Sequence, residues 1–284
     1  MICNFCPRQC NVDRKEKLGY CKQTERLKLA KVMLHRYEEP IISGTRGSGA
    51  IFFSGCNLRC VFCQNYPISQ GGKGKECTVD ELINIFKYFE KIGAHNINLV
   101  SPTQFAYQIA TALKIYKPKI PIVWNSNGYE SSEMVEMLSG LVDIYLVDLK
   151  YSDNALALKY SRAKDYVENS HIAIMKMKEQ QPVDIIENGL MKKGMIIRHL
   201  ILPTHTSDSI KCLDFIAKNL GKDSIVSIMS QYEPRYDAKN YPEINRKIRP
   251  IEYKRVVNHA LNLGLHNAYI QDLSSADSKY TPKF

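Results

Sequence analysis

The chain has 284 residues, of which 44% are hydrophobic and 24% charged, and its formal net charge is +10. This length suits one large α/β domain, or one such domain with a small module, and the composition is that of an ordinary globular protein. Because Lys and Arg are spread without a run of five or more, the charge does not predict nucleic-acid binding. We find neither a membrane-spanning stretch nor a signal-peptide core, and we expect a cytoplasmic protein.

Seven of the nine cysteines fall into two groups. The groups are Cys3, Cys6, Cys10 and Cys21, and then Cys56, Cys60 and Cys63. Because a chain without an export signal keeps its thiols reduced, grouped cysteines indicate metal binding rather than disulfides. Cys77 and Cys212 stand alone, and we predict that each is a small buried hydrophobe.

The first group lies in a turn-rich segment that has too few apolar residues to fold without a cross-link. A bound metal would supply it, and structural zinc or an auxiliary iron–sulfur cluster suits the four thiolates equally well. Leu27–Tyr37 reads as a strand or short helix that joins this segment to the core, and Ser43–Gly49 reads as a flexible joint. We therefore predict a metal module with its linker over residues 1–45 and a second domain over residues 46–284.

Short apolar runs alternate with helical patterns from residue 50 onwards. Strands are predicted at Ala50–Phe53, Asn96–Val100, Ile120–Trp124, Val142–Val147, Met195–Leu202, Ile225–Met229 and Ala268–Gln271. Helices are predicted at Thr78–Gly93, Phe105–Tyr116, Ser131–Leu141, Ser207–Leu220, Ile251–Leu263 and through Asn154–Lys193, apart from a loop around Gln180–Gly189. Because this alternation indicates a parallel sheet buried on both faces, we predict an α/β fold, a partial or full (β/α) barrel.

Polar side chains follow these strands at the points where the strands end. In parallel α/β folds the ligand site lies at the carboxyl ends of the strands, where loops carry the variable polar groups. The candidate ligand-binding residues are Ser101, Thr103, Asn125, Asn127, Asp148, Lys150, Arg198, His199 and Gln231. Charges inside apolar runs are costly unless they are paired or face a ligand, which favours a site role for Lys150, Arg198 and His199.

The stretch Ile51–Tyr66 carries the second cysteine group in a CxxxCxxC loop directly after a strand. Three cysteines are one fewer than a four-iron cluster needs, so one iron is free to bind another molecule. This spacing, with Phe62 before the last cysteine, resembles the motif of the radical S-adenosylmethionine (SAM) enzymes. In those enzymes the open iron binds SAM, and reductive cleavage of SAM releases a 5′-deoxyadenosyl radical that abstracts hydrogen from a substrate.

The whole chain resembles the pyruvate formate-lyase activating enzyme-like family, the PflX-type Fe-S proteins. The stretches that carry the resemblance are CNFCPRQC, GSGAIFFSGCNLRCVFCQNYPISQ, GAHNINLVSPTQF, NSNGYE, VDIYLVDLKY, MIIRHLILP and IMSQYEP. It implies that Cys56, Cys60 and Cys63 ligate a [4Fe-4S] cluster. It also implies that Asp148 and Lys150 contact SAM, that Arg198 matches a strand-five arginine, and that His199 contacts SAM or substrate.

Two positions depart from the activase pattern. Activases carry Gly-Gly-Glu after strand two, where this chain has Ser101–Thr103, and a histidine at strand six, where it has Gln231 and Tyr232. The resemblance still implies a low-potential electron donor of the flavodoxin or ferredoxin type and a protein or peptide substrate. Glycyl-radical activation of a partner enzyme is the first specific form of this activity.

Three other functions stay open. The first is radical SAM modification of a small molecule or of a peptide unrelated to glycyl radicals. The others are a non-enzymatic iron–sulfur or zinc protein and a zinc-dependent nucleic-acid modifier. The three-ligand loop disfavours the non-enzymatic protein, because structural or electron-carrying sites more naturally use four ligands. The nucleic-acid modifier predicts salt-sensitive binding to RNA or DNA.

Overall fold

The computed structural model describes residues 2–273, 282 and 284, which include a ten-stranded sheet with flanking helices. The strands are β1 Leu27–His35, β2 Ser48–Phe53, β3 Lys75–Cys77, β4 Ile97–Val100, β5 Ile122–Ser126, β6 Ile144–Asp148, β7 Ile185–Glu187, β8 Leu190–Leu200, β9 Ile225–Met229 and β10 Ala268–Ile270. The α-helices are α1 Pro40–Ser43, α2 Tyr66–Ser69, α3 Val79–Lys91, α4 Ala106–Ile115, α5 Ser132–Met137, α6 Asn154–Ser161, α7 Tyr166–Gln180, α8 Thr206–Asn219 and α9 Pro250–Leu263. Short 3-10 helices cover Thr103–Phe105, Ala238–Asn240 and Pro242–Ile244.

The strand order is β10-β9-β8-β6-β5-β4-β2-β1-β3, and β7 pairs with β8 outside this path. All pairs from β2 to β10 along the order are parallel. β1 runs antiparallel to β2, and β3 runs antiparallel to β1. Within the described residues the order does not return to its start, so the predicted barrel is confirmed in its partial form. No helix in this part of the chain is long and apolar enough to cross a membrane.

The parallel strands are apolar on both faces because both faces are covered. In β6, Tyr145 and Val147 join the large core shared with the helices, whereas Ile144 and Leu146 belong to a separate cluster inside the barrel. The short helix α1 contributes Ile41 and Ile42 to this inner cluster. Because β1 runs antiparallel to β2, α1 lies at the amino ends of the parallel strands and closes that end of the barrel.

One predicted element was wrong at its end. The stretch Asn154–Lys193 contains helices α6 and α7, but it finishes in the hairpin of β7 and β8, so β8 begins at Leu190 rather than at Met195. The two turn residues, Asn188 and Gly189, both have positive φ. An Asn-Gly pair between β-branched and apolar residues is the usual signal of a two-residue hairpin, and the prediction overlooked it.

Candidate active site

The CxxxCxxC stretch, hereafter the three-cysteine loop, leaves the carboxyl end of β2. Its cysteines Cys56, Cys60 and Cys63 line a cavity of about 260 Å³ at that edge of the sheet. The loop begins at Gly55, whose φ is +81°, and a Cβ there would lie 2.6 Å from the Cys21 carbonyl oxygen. Because only glycine combines this backbone conformation with so close an approach, Gly55 brings the N-terminal segment and the loop into contact.

Each sulfur of the three-cysteine loop has a polar side chain within hydrogen-bond distance. The pairs are Asn127 Nδ2 with Cys56 Sγ at 3.3 Å, Ser161 Oγ with Cys60 Sγ at 3.0 Å, and Ser69 Oγ with Cys63 Sγ at 3.2 Å. Burial raises the pKa of Cys60 to about 12, so iron must displace its proton on binding. Hydrogen bonds to sulfur orient thiolate ligands and tune a cluster, so this donor set fits a [4Fe-4S] cluster.

Charged residues at the ends of β6 and β8 line the same cavity. Lys150 Nζ lies 2.6 Å from Asp148 Oδ2, and Arg198 Nε donates to Asp148 Oδ1 over 2.9 Å. Burial alone would raise the pKa of the Asp148 carboxyl, but Arg198 and Lys150 outweigh burial and hold this pKa below its usual range. Lys150 is also close enough to Cys60 to lower the pKa of that thiol. A buried ammonium group therefore accompanies the three-cysteine loop.

Arg198 also pairs with Glu38, a carboxylate that the sequence analysis did not identify. Glu38 precedes α1 and reaches the barrel interior, where its Oε2 lies 3.1 Å from Arg198 Nη1. Its Oε1 accepts hydrogen bonds from Asn98 Nδ2 at 2.9 Å and Asn125 Nδ2 at 3.3 Å, while Arg198 Nη2 donates to Asn125 Oδ1 over 2.6 Å. In the sequence, Glu38 is marked only by the acidic pair that it forms with Glu39 before the apolar turn of α1. It does not follow a strand of the predicted parallel sheet, so a search at the ends of those strands does not select it.

Seven of the nine predicted ligand-binding residues line the cavity, and two do not. The seven are Ser101, Asn125, Asn127, Asp148, Lys150, Arg198 and Gln231. Ser101 has a φ of +54°, a left-handed conformation that is uncommon for serine. Thr103 is buried elsewhere and donates through Oγ1 to Glu130 Oε1 over 2.7 Å. Glu130 accepts further hydrogen bonds from Trp124 and Ser126, so it satisfies buried polar groups of β5 outside the cavity.

His199 is the second residue outside the cavity. Successive side chains of a strand point to opposite faces, so Arg198 and its neighbour His199 diverge. The imidazole is 1% exposed, and its Nδ1 lies 2.7 Å from the Leu149 carbonyl oxygen. Burial lowers its pKa to about 4, so the ring is neutral near pH 7 and donates through Nδ1 to this carbonyl.

We expect His199→Gln to reduce the acid sensitivity of the fold. Because the folded pKa lies below the ordinary histidine value, the stability contributed by the neutral ring is complete above about pH 6.5 and is lost as pH falls towards 4. Unfolding of both proteins should be followed at several pH values in this window. The wild type should lose up to about 1.4 kcal/mol per pH unit more than the variant, and identical slopes would contradict the prediction.

The first cysteine group, hereafter the N-terminal thiol cluster, lines a second, small cavity. It consists of Cys3, Cys6, Cys10 and Cys21. Every pair of these thiols interacts electrostatically. A Cβ on Gly19 would lie 3.4 Å from Cys21 Sγ and 3.7 Å from Cys10 Sγ. In the described part of the chain, no three side chains of His, Cys, Asp or Glu converge closely enough to hold one metal ion between them.

Comparison with known proteins places this geometry in a family. The model of the Radical SAM superfamily matches residues 50–216. The chain is 34% identical over 280 residues to the uncharacterized protein MJ0674 of Methanocaldococcus jannaschii, covering 94% of this chain and 76% of that protein. It is 26% identical over 227 residues to the pyruvate formate-lyase-activating enzyme of Clostridium pasteurianum, covering 75% of this chain and 87% of that enzyme.

A solved structure shares the fold. The radical S-adenosylmethionine methyltransferase TsrM from Kitasatospora setae aligns with a TM-score of 0.54 at 11% identity, over 95% of this chain and 61% of that one. The superfamily model covers more than half of the sequence, including the three-cysteine loop and the ends of β4, β5, β6 and β8. This chain therefore belongs to the radical SAM superfamily.

Proposed function

We propose that the protein is an enzyme that reductively cleaves SAM and uses the resulting 5′-deoxyadenosyl radical to abstract hydrogen from a substrate. A [4Fe-4S] cluster on the three-cysteine loop supplies the electron for this cleavage when it is bound. The observation that carries the proposal is one cavity in which three hydrogen-bonded cysteine sulfurs are accompanied by the buried ammonium of Lys150. Superfamily membership supports the same chemistry.

The cavity residues divide into ligands and SAM contacts. Cys56, Cys60 and Cys63 ligate the cluster, and Lys150, oriented by Asp148 at 2.6 Å, pairs with the carboxylate of SAM. The neutral donors and acceptors around it are Ser101, Asn125, Asn127 and Gln231. Ser101 and Gln231 can each satisfy a polar atom of SAM that loses its water on entering the cavity. The side-chain amides of Asn125 and Asn127 already form hydrogen bonds within the protein, so these residues position their neighbours.

Arg198 has a different role in this proposal. Its guanidinium donates to Asp148, Glu38 and Asn125, so its hydrogen-bonding capacity is largely used within the protein. Arg198 is therefore a positioning residue. It keeps Asp148 ionised, and Asp148 in turn fixes the position of Lys150. Neither Thr103 nor His199 lines the cavity, so we propose no SAM contact for them.

For the substrate we propose a protein or peptide, with glycyl-radical activation of a partner enzyme as the specific form. The likeness to the pyruvate formate-lyase-activating enzyme over 75% of this chain supports it. A low-potential electron donor of the flavodoxin or ferredoxin type is the implied partner. Radical modification of a small molecule or of another peptide is the second candidate. This second candidate is favoured by the stretch Ser101–Thr103, which stands where activases have Gly-Gly-Glu. Ser101 in this stretch has a left-handed backbone conformation.

We also propose that the N-terminal thiol cluster holds a second metal centre, within a metal module over residues 1–45 that precedes the barrel over residues 46–284. The convergence of its four cysteines on one small cavity supports this. β1 lies within residues 1–45 and pairs with β2, so the module and the barrel share one sheet.

The test is to reconstitute the protein with iron and sulfide without oxygen, add SAM and dithionite, and measure 5′-deoxyadenosine. We expect product from the wild type and none from Cys60→Ala. Cys77→Ala is the matched control, because it removes an isolated thiol away from the cavity and should leave the yield unchanged. A wild type with a fully loaded cluster that gives no more product than Cys60→Ala would overturn the proposed function.

A further inference from the structure

The N-terminal thiol cluster packs directly against the three-cysteine loop. Arg8 Nε donates to the Asn57 carbonyl oxygen over 2.7 Å, and Asn57 itself lines the cavity of the N-terminal thiol cluster. Cys21 is close enough to Cys56 for the two thiols to interact electrostatically, and the Cys21 carbonyl approaches Gly55. The two cysteine groups therefore meet at Gly55 and Asn57, on either side of Cys56.

Arginine side chains surround this contact, and some of their N–H groups do not donate a hydrogen bond. Three buried guanidinium nitrogens have no hydrogen-bond partner among the described residues. They are Nη2 of Arg8, Nε of Arg14 and Nη1 of Arg59. Arg8 and Arg14 line the cavity of the N-terminal thiol cluster, and Arg59 donates to the carbonyl oxygen of Tyr20, another residue of that cavity.

Arg14 is the clearest case of a buried guanidinium that lacks an anionic partner among the described residues. It is 2% exposed, and its Nη1 and Nη2 donate to the carbonyl oxygens of Gln104 and Thr24, which are neutral. A buried cation without a counter-charge costs several kcal/mol. Its guanidinium acts electrostatically on Cys3 and Cys21, which become thiolates when they bind metal. An anionic centre on these four thiolates would therefore supply the counter-charge.

We propose that the N-terminal thiol cluster holds a [4Fe-4S] cluster that relays single electrons to the cluster of the three-cysteine loop across the contact at Gly55 and Asn57. The proposal rests on the proposed function, because it assigns the route of the electron that SAM cleavage consumes. An external donor of the flavodoxin or ferredoxin class first reduces the relay cluster from 2+ to 1+. The relay cluster then returns to 2+ as the cluster of the three-cysteine loop goes from 2+ to 1+, and no bond or proton is exchanged.

The arrangement favours iron over zinc. Zinc has no accessible redox change, and a structural zinc site only needs to hold its own segment together. The N-terminal thiol cluster instead lies beside Gly55 and Asn57, the two neighbours of Cys56, which is a ligand of the catalytic cluster in the proposed function. Arginine N–H groups beside sulfur stabilise the additional negative charge of a reduced cluster and raise its reduction potential.

The first experiment isolates the relay site in the triple variant Cys56→Ala, Cys60→Ala and Cys63→Ala. After anaerobic reconstitution we expect about four irons per chain, the content of one [4Fe-4S] cluster, and an electron paramagnetic resonance signal on reduction. Arg14→Gln in the same background should shift the midpoint potential to a more negative value. Arg26→Gln, which removes an exposed arginine paired with Glu76, should leave the potential unchanged. Bound zinc without iron, or equal potentials in both variants, would overturn the proposal.

The second experiment uses the complete protein with both clusters reduced. If they exchange electrons at contact distance, their spectrum should show magnetic coupling that is absent from the sum of two reference spectra. These references are the triple variant and Cys3→Ala/Cys6→Ala, which each carry one cluster. A wild-type spectrum equal to this sum would contradict the relay.

The third experiment separates the relay from the proposed function. With dithionite, which reduces exposed clusters directly, Cys3→Ala/Cys6→Ala should still form 5′-deoxyadenosine, whereas reduction by a flavodoxin system should no longer support it. Equal yields from variant and wild type with both reductants would overturn the relay. A wild type that forms no product with dithionite would instead contradict the proposed function, while the spectra above would still report on the relay site.

Discussion

Arg198→Met should lower the free energy of unfolding by about 3–5 kcal/mol, the usual cost of removing one partner from a buried ion pair. Arg198 binds Asp148 at 2.9 Å and Glu38 at 3.1 Å, and the side chains of these carboxylates are only 14% and 9% exposed. Without the guanidinium both carboxylates stay buried, and Glu38 keeps only the amide donors Asn98 and Asn125. Denaturant unfolding of the two proteins under identical cluster loading measures the difference.

The pH dependence identifies the cause. In the wild type Arg198 and Lys150 hold the pKa of Asp148 low, so the stability it contributes is present above the ordinary aspartate pKa and is lost on acidification. Burial already raises the pKa of Glu38 in the wild type, and in the variant it raises the pKa of both carboxyls further, because Asp148 keeps only Lys150 and Glu38 keeps no cation among the described residues. The added penalty therefore exists above about pH 4 and disappears below it. The deficit should therefore shrink as pH falls from 7 to 4. Arg26→Met, at an exposed pair, should cost less than about 1 kcal/mol, and equal losses in the two variants would refute the prediction.

Lys150→Met should weaken SAM binding by about 2 kcal/mol or more, roughly 30-fold in Kd, as expected when one partner of a buried charge pair is truncated. The ammonium lies 2.6 Å from Asp148 and is 17% exposed, so its position is defined before SAM enters. In the proposed function it neutralises the carboxylate of SAM. Calorimetric titration of the reconstituted protein with SAM measures the loss.

Two controls show whether this loss is local. Lys176→Met removes an exposed lysine that pairs with Glu136 and Glu179, and we expect unchanged affinity. Lys150→Met combined with Asp148→Asn also removes the carboxylate that has lost its ammonium partner but still pairs with Arg198, and this change should not recover SAM affinity. Iron content should be the same in all variants. Wild-type affinity in Lys150→Met at full cluster loading would rule out the assigned contact.

Much of the fold was predictable because it depends on local patterns. The parallel strands are continuous apolar runs, and the helix beginning at Thr78 is marked by a capping box with Glu81 that the structure contains. The failure at Asn154–Lys193 was also local, since the turn at Asn188 and Gly189 is readable in the sequence. Closure could not be predicted, because an open and a closed barrel use the same strand pattern.

The candidate site, too, was predictable only where it depends on local patterns. The assignment of Cys56, Cys60 and Cys63 as cluster ligands in the proposed function rests on their spacing in a single loop, which is readable in the sequence. Arg198 and His199 look equivalent in sequence, and strand alternation requires them to diverge, but only packing decides which one faces the cavity.

The sequence by itself thus indicated the superfamily, the parallel strands and the two cysteine groups, because each depends on residues that are close together in the chain. Only the tertiary structure decided that Glu38 enters the barrel to bind Arg198, 160 residues away in sequence. It also decided that the N-terminal thiol cluster lies against the three-cysteine loop, at Gly55 and Asn57. Both are contacts between distant segments, and their geometry depends on how the sheet and its closing segments pack, which no local pattern encodes.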